Sequence, residues 1–326
     1  MKRDLPLPAD KAAWSAVGES WELSLDPSFP SRDLDGELLA DHIARDPEAW
    51  LGPGAPDSPL LVKLLDARDV LSVQVHPADG DPTLGPQESG KPEAWVVLAR
   101  EPGAGLWLGL AEGVTRHEFA TALDRFGRID DEAAAREIGD RVAAMLNFVP
   151  VEPGDTFVIE AGTVHAIGPG LTLLEPQLVR PGKTGVTYRF WDWGRRYDAA
   201  GRLDPAGAPR TLHRDRSLAV TAWDAPRGAA FVAHCRRHPR LIATRDAATH
   251  ERLIDDLGMR VDRLVGTGHV TLAALGSLAA LVVTQGAVDL GGVVARGGQT
   301  LALPATLGPL DLVLGEAQAF LVQAVA

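Results

Sequence analysis

Residues 70–77 read VLSVQVHP, a run in which β-branched apolar residues alternate with polar ones. Strand side chains point alternately to two faces. Leu71, Val73 and Val75 share one face, and Ser72, Gln74 and His76 the other. The apolar face reads as core. The other face aligns a hydroxyl, an amide and an imidazole, which suits a polar pocket as well as a solvated surface. Much of the chain has this texture. Short β-rich runs are cut by turn signals such as LGPG, EPGAG, EPGD and RPGK, the punctuation of a sandwich or barrel. Two regions differ. Residues 32–50 have helical spacing around Leu38, Leu39 and Ile43. Residues 113–147 are rich in helix formers and open with Thr115 and Glu118 in capping-box spacing. Residues 198–216 are polar and irregular, and 228–326 read as a further set of strands.

The chain has 326 residues, 45% of them hydrophobic. That length builds a large core and predicts two domains. No apolar run reaches the ~18 residues of a membrane span. The start, MKRDLPLPADK, lacks the apolar stretch of a secretory signal. Cys235 is the only cysteine, so no intrachain disulfide forms. Together these predict a cytoplasmic protein. A net charge of −12 argues against nucleic acid, whose partners are usually basic, and no membrane partner is expected either. An anionic ligand requires a local cationic pocket. Only five of the 32 Lys and Arg are lysines: Lys2, Lys11, Lys63, Lys91 and Lys183.

Residues 151–168, VEPGDTFVIEAGTVHAIG, place a turn at Pro153-Gly154-Asp155, a second at Gly162 and then His165. This strand-turn-strand, which aims one histidine into a small barrel, is similar to the second motif of the cupin superfamily, where a proline usually stands at Glu160. A metal needs three or four converging donors, and Gln74, His76, Glu93 and His165 supply them. Two imidazoles and a carboxylate suit catalytic zinc, with the Gln74 amide oxygen as a weak fourth ligand. The same set serves non-haem iron. The plain alternatives are a strand histidine that bonds within the core and a surface carboxylate.

The segments LLDARDVLSVQVHP, GKPEAW, EPGDTFVIEAGTVHAIGPGLTLLEPQ and TYRFWDW, in that order, resemble type I phosphomannose isomerases (mannose-6-phosphate isomerases), most of all the short bacterial form. The resemblance runs from about Val17 to Leu218. It implies a mainly β fold of two cupin-like jelly-roll barrels. Residues 1–112 and 148–212 would form the catalytic cupin domain, 113–147 a helical insertion, and 213–326 a C-terminal cupin-like β domain without metal ligands. It also implies one Zn2+ per chain on Gln74, His76, Glu93 and His165, and a small-molecule sugar phosphate as partner. The reaction would interconvert mannose 6-phosphate and fructose 6-phosphate through an enediol. Arg189 in TYRFWDW matches the family's active-site arginine. Lys91 and Glu175 are rival proton carriers. Ser72 and Lys63 match phosphate-contact positions, and Arg195 stands where long-form relatives carry a phosphate-binding lysine. Lys63 lies in an apolar run, LLVKLL, from which a lysine also snorkels to the surface. The chain would act as a monomer or homodimer.

Some features depart from the family. The tryptophan-glycine-glycine opening is absent, the loop from Val179 to Val186 is longer and brings Arg180 and Lys183 to the pocket mouth, and Ile167 replaces a tyrosine. The competing functions are an iron-dependent cupin oxygenase and a non-catalytic sugar-phosphate sensor. The sequence further predicts that Ser72, Gln74 and His76 point into one cavity, with His165 facing them across it.

Overall fold

The structure, a computed structural model, describes residues 17–124 and 132–325. The chain start with Lys2 and Lys11, and residues 125–131 of the expected helical insertion, lie outside the described residues. Two antiparallel sheets face each other. The first runs in the order Glu19–Leu23, Leu60–Ala67, Leu171–Leu178, Glu93–Arg100, Thr156–Ile159, Arg236–Arg237. The second runs Tyr188–Trp191, Val73–Val75, His165–Ile167, Gly105–Leu110, Leu146–Pro150.

The central strands of the first sheet are apolar on both faces, because both faces are covered. Val62, Leu64, Ala94, Val96 and Leu174 pack outward against Leu253, Met259, Val261, Val282 and Phe320 of the C-terminal part. Leu65, Trp95, Val97, Leu171 and Leu173 turn inward and meet Leu106, Leu108 and Ile167 of the second sheet. Strands buried on both sides lose the period-2 alternation, which explains LLVKLL. Lys63 pairs with Glu175, and Glu93 with Gln177, in neighbouring strands of the sheet. These four share the inward face, since strand residues two apart point the same way.

The outer face of the second sheet carries Val73, Val75, Ala166, Tyr188 and Phe190. It is roofed by Phe119 and Leu123 of the helix Arg116–Asp124 and by Val142 of the helix Glu132–Ala144. The expected capping box is present: the Thr115 N–H donates to Glu118 (2.9 Å), and the Glu118 N–H donates to the Thr115 hydroxyl (3.2 Å). One detail differs. The strand begins at Val73, and Leu71 packs on the inner core rather than beside Val73 and Val75. Residues 32–50 form two short helices, Leu39–Arg45 and Pro47–Leu51.

The C-terminal strands make one sheet, Arg240–Arg245, Ala247–Asp256, Met259–Leu272, Leu310–Ala324, Ala279–Leu290, Val293–Arg296, with Gln299–Leu303 also on Ala279–Leu290. It curls round its own core of Leu264, Leu281, Val283, Leu312, Leu314 and Leu321. Bulges let the long strands bend. At one of them Gly286 has φ 65°, and a Cβ there would sit 2.3 Å from the Glu316 carbonyl oxygen.

Segment 213–237 differs from its expected β character. It forms the helices Arg214–Val220 and Gly228–Cys235, then pairs Arg236–Arg237 with Thr156 and Phe157 at the edge of the first sheet. The run GAAFVAHC is apolar enough for a strand, yet it caps the inner core with Phe231 and Cys235, which a helix places one turn apart. Among the described residues no helix is long and apolar enough to cross a membrane.

Candidate functional site

His76 follows the strand Val73–Val75 and is buried; its Nδ1 lies 2.9 Å from the Val186 carbonyl. The His165 Nδ1 lies 2.8 Å from the Thr163 carbonyl. A carbonyl only accepts, so each Nδ1 carries the hydrogen and each Nε2 keeps a bare lone pair. Both Nε2 atoms are buried and make no hydrogen bond among the described residues. They face the two oxygens of buried Glu93, His76 Nε2 at 3.4 Å from Oε2 and His165 Nε2 at 3.5 Å from Oε1. Two buried imidazole lone pairs that face a carboxylate, neither with a donor, are unfavourable unless a cation lies among them. One ligand atom from each residue lies within 4.8 Å of the others. The donor set fits a divalent metal such as zinc.

The expected placement of His165 needs correction. It stands beside the polar strand, not across from it. Gln74 and His165 are direct partners on adjacent antiparallel strands, and the His76 and His165 rings lie 4.9 Å apart. Glu93 comes from the facing sheet. The half-buried Gln74 lies between His165 and Arg189 in register, on the strand face that Ser72 and His76 share.

Charge organises the far wall. Burial alone would push the Glu93 carboxyl up, but the neighbouring Lys91 ammonium opposes it and the carboxyl is held well below the usual carboxylate range. Burial, with the neighbouring His76, drives His165 down to about 3, so it stays neutral, the form that binds metal. The Lys91 Nζ lies 3.4 Å from Glu93. Burial opposes its charge, yet Glu93 and Glu175 prevail and raise it above the ordinary lysine value. Burial, then the charge of Glu93, pushes Glu175 up to about 7. The Trp95 indole donates to one Glu175 oxygen (3.0 Å).

Gln177, which the sequence reading passed over, joins the two carboxylates. Its amide nitrogen donates to Glu93 (2.9 Å) and to Glu175 (2.8 Å). Its spacing two residues after Glu175 was the available signal, because it puts both on one strand face.

The cations lie at the other end of the polar strand. The Arg189 Nε donates to the Ser72 hydroxyl (3.2 Å), and its Nη1 to the Thr211 carbonyl (3.3 Å). Arg195 donates to the Val70 carbonyl (2.6 Å) and to Asp192 (2.5 Å). Asp192 and Arg195 close a tight turn whose central residues, Trp193 and Gly194, have φ 58° and 70°. Trp193 bears that left-handed strain while its indole donates to the Leu71 carbonyl (2.7 Å). Lys63 does not reach bulk solvent by snorkelling. Its ammonium pairs with Glu19 (2.9 Å) and lies over the Trp21 ring. In the loop from Val179 to Val186, Arg180 pairs with Asp79 (2.8 Å), and Thr184–Gly185 pairs with Glu88–Ser89.

This geometry can be set beside known proteins. Residues 4–103 match the family model of the phosphomannose isomerase type I catalytic domain. The chain resembles type I phosphomannose isomerases in sequence and in fold. A mannose-6-phosphate isomerase of Streptococcus mutans is 32% identical over 226 residues, 65% of this chain and 60% of that relative's own length. The structure of the mannose 6-phosphate isomerase from Bacillus subtilis superposes with a TM-score of 0.74 at 23% identity, covering 94% of this chain and 89% of that one. A zinc-bound mannose 6-phosphate isomerase superposes with a TM-score of 0.69 at 17% identity, covering 95% and 91%. These superpositions bear out the mainly β, phosphomannose isomerase-like fold expected from the sequence.

Proposed function

We propose that the chain is a zinc-dependent aldose–ketose isomerase that interconverts mannose 6-phosphate and fructose 6-phosphate through an enediol. The observation that carries this reading is the convergence of two bare imidazole nitrogens on a carboxylate, with an arginine on the adjoining strand. The naming of the matched family and relatives after this activity supports it.

Gln74, His76, Glu93 and His165 would hold the metal, which when bound supplies a Lewis acid to polarise the substrate carbonyl. Arg189, fixed by Ser72 and Thr211, adds a permanent positive charge against the oxyanion of the transition state. Glu175 is the favoured proton carrier, since a carboxyl pushed up to about 7 exchanges protons readily near neutrality. It would take a proton from C2 of the aldose and return it to C1, while a second proton passes from O2 to O1. Lys91, kept as an ammonium, would balance charge on the substrate oxygens rather than act as a base. Ser72 and Lys63 are the phosphate contacts that the family resemblance suggests, and Arg195 stands at a third such position.

The test is a coupled assay of purified protein with mannose 6-phosphate, with and without chelator. Activity should disappear on metal removal, return with Zn2+, and fall sharply in His165→Ala and Arg189→Ala. A fully active enzyme after exhaustive chelation would overturn the reading. Oxygen consumption with a sugar substrate would point to the iron oxygenase instead.

A further inference from the structure

A third arginine, Arg210, stands at the far end of the site. Asp192 is buried, and three guanidinium groups gather round it. Arg195 donates to its Oδ1 (2.5 Å), and Arg210 grips both oxygens, Nη2 to Oδ1 at 2.6 Å and Nε to Oδ2 at 2.7 Å. Arg189 bonds to the carbonyl of Thr211, the residue after Arg210. Burial lowers the Arg189 pKa, and the nearby charge of Arg210 lowers it further. Among the described residues one buried carboxylate therefore faces three permanent positive charges, and exposed Asp69 lies 3.5 Å from Arg195. In a chain of net charge −12 such a local excess favours an anion.

Donor bookkeeping separates the arginines. A guanidinium offers five N–H donors. Arg195 gives its Nε to the Asp192 carbonyl, its Nη1 to Val70 and Asp69, and its Nη2 to the Asp192 carboxylate. Its side chain is only 16% exposed. Arg210 instead turns one edge to Asp192, rests on the Tyr197 ring at 4.9 Å, and stays 40% exposed. The Asp192 bonds fix Arg210 on one edge, Tyr197 borders it, and the remainder of the side chain stays exposed. Two edge-on bonds to Asp192 set the plane of the guanidinium, which is the condition for planar recognition of a phosphate.

We propose that Arg210 binds the phosphate of the sugar phosphate, beside Ser72 and Arg189, and that Arg195 is a positioning residue that holds Asp192 and so orients Arg210. This proposal rests on the sugar-phosphate reading above. The polar strand then ends at Ser72 in a phosphate subsite built by the segment 192–211, with the metal donors at its other end.

The experiment compares wild type with Arg210→Met, Arg210→Lys and Arg195→Met, each first checked for a native thermal melt. Two quantities are read: KM against kcat for mannose 6-phosphate, and binding of inorganic phosphate by calorimetry. Arg210→Met should raise KM about 10- to 100-fold, the worth of a charged hydrogen bond, and weaken inorganic phosphate by a similar factor. Arg210→Lys should recover part of both, because charge remains but the fork is lost. Arg195→Met should weaken phosphate less than Arg210→Met. Unchanged phosphate binding in a folded Arg210→Met protein would overturn the proposal, as would a loss confined to kcat. If wild type fails to turn over mannose 6-phosphate, the isomerase reading fails. The calorimetric comparison with inorganic phosphate still decides the role of Arg210 in that case.

Discussion

His76 and His165 stand side by side with rings 4.9 Å apart, each giving its Nδ1 hydrogen to a backbone carbonyl. The carbonyls of Val186 and Thr163 thus decide the tautomer before any ligand arrives. Both lie in connecting segments, which ties the orientation of the donors to loops around the site rather than to the strands alone.

That arrangement predicts one tightly held divalent ion per chain. Elemental analysis should find it, and loading the chelated protein should raise the melting temperature, because an ion that binds only the folded state stabilises by mass action. His76→Ala should lower metal affinity by at least about a hundredfold, beyond the 10- to 100-fold typical of outer-shell changes. Unaltered stoichiometry in His76→Ala would exclude this site.

Gln177→Leu removes the donor that Glu93 and Glu175 share. Leaving buried acceptors unsatisfied costs about 1–3 kcal/mol, so the variant should unfold at lower denaturant. Its metal affinity should also drop roughly 10- to 100-fold as Glu93 loses orientation. Gln177→Glu should be worse, with a third carboxylate in one buried cluster. Denaturation and metal titration of both variants check this.

The raised Glu175 carboxyl gives a sign to the pH dependence. Protonated below about 7, it becomes a base as pH rises, so kcat/KM should climb with pH. A cation on Glu93 cancels part of the charge that raises Glu175, so the midpoint should lie at or below that value. Glu175→Gln should abolish turnover. In metal-free protein the stability runs the other way. The folded state holds a proton that the unfolded chain has already released, so stability should fall as pH rises from about 4.5 to about 7. A melting temperature that rises through that window in wild type and not in Glu175→Gln would refute it.

Acid should loosen the C-terminal sheet. Burial opposes the Asp262 charge, but hydrogen bonds from His250 and Arg252 outweigh it and hold its carboxyl below 3.8. A depressed carboxyl stabilises the fold above its ordinary value, and that contribution disappears as pH falls through the lower, folded value. Asp262→Ala should cost about 1–3 kcal/mol, since Arg252 loses its buried partner and keeps only Asp255 among the described residues. Urea unfolding at neutral and acid pH would measure both effects.

Much of the site could be read along the chain because it depends on period-2 spacing within single strands. Ser72, Gln74 and His76 in VLSVQVHP are of this kind, whereas Glu175 in LLEPQ is picked out only by the family resemblance. The capping box of Thr115 and Glu118 is equally local. What escaped depends on partners far apart in sequence. Nothing near His165 says that its strand lies next to Val73–Val75 rather than opposite. The apolar run Gly228–Cys235 suits either a helix or a strand until the inner core it caps is known. The Asp192–Arg210 pair links two stretches whose only visible trait is polarity.

The first sheet serves two purposes on alternate residues. Val62, Leu64, Ala94, Val96 and Leu174 are glued to the C-terminal part, while Lys63, Glu93, Glu175 and Gln177 face the site. A slip of one residue in any of these strands exchanges the two sets. It would drive a charge against Phe320 and Val282 and turn an aliphatic side chain toward the metal donors. The C-terminal sheet therefore proofreads strand alignment for the sheet that carries Glu93 and Glu175.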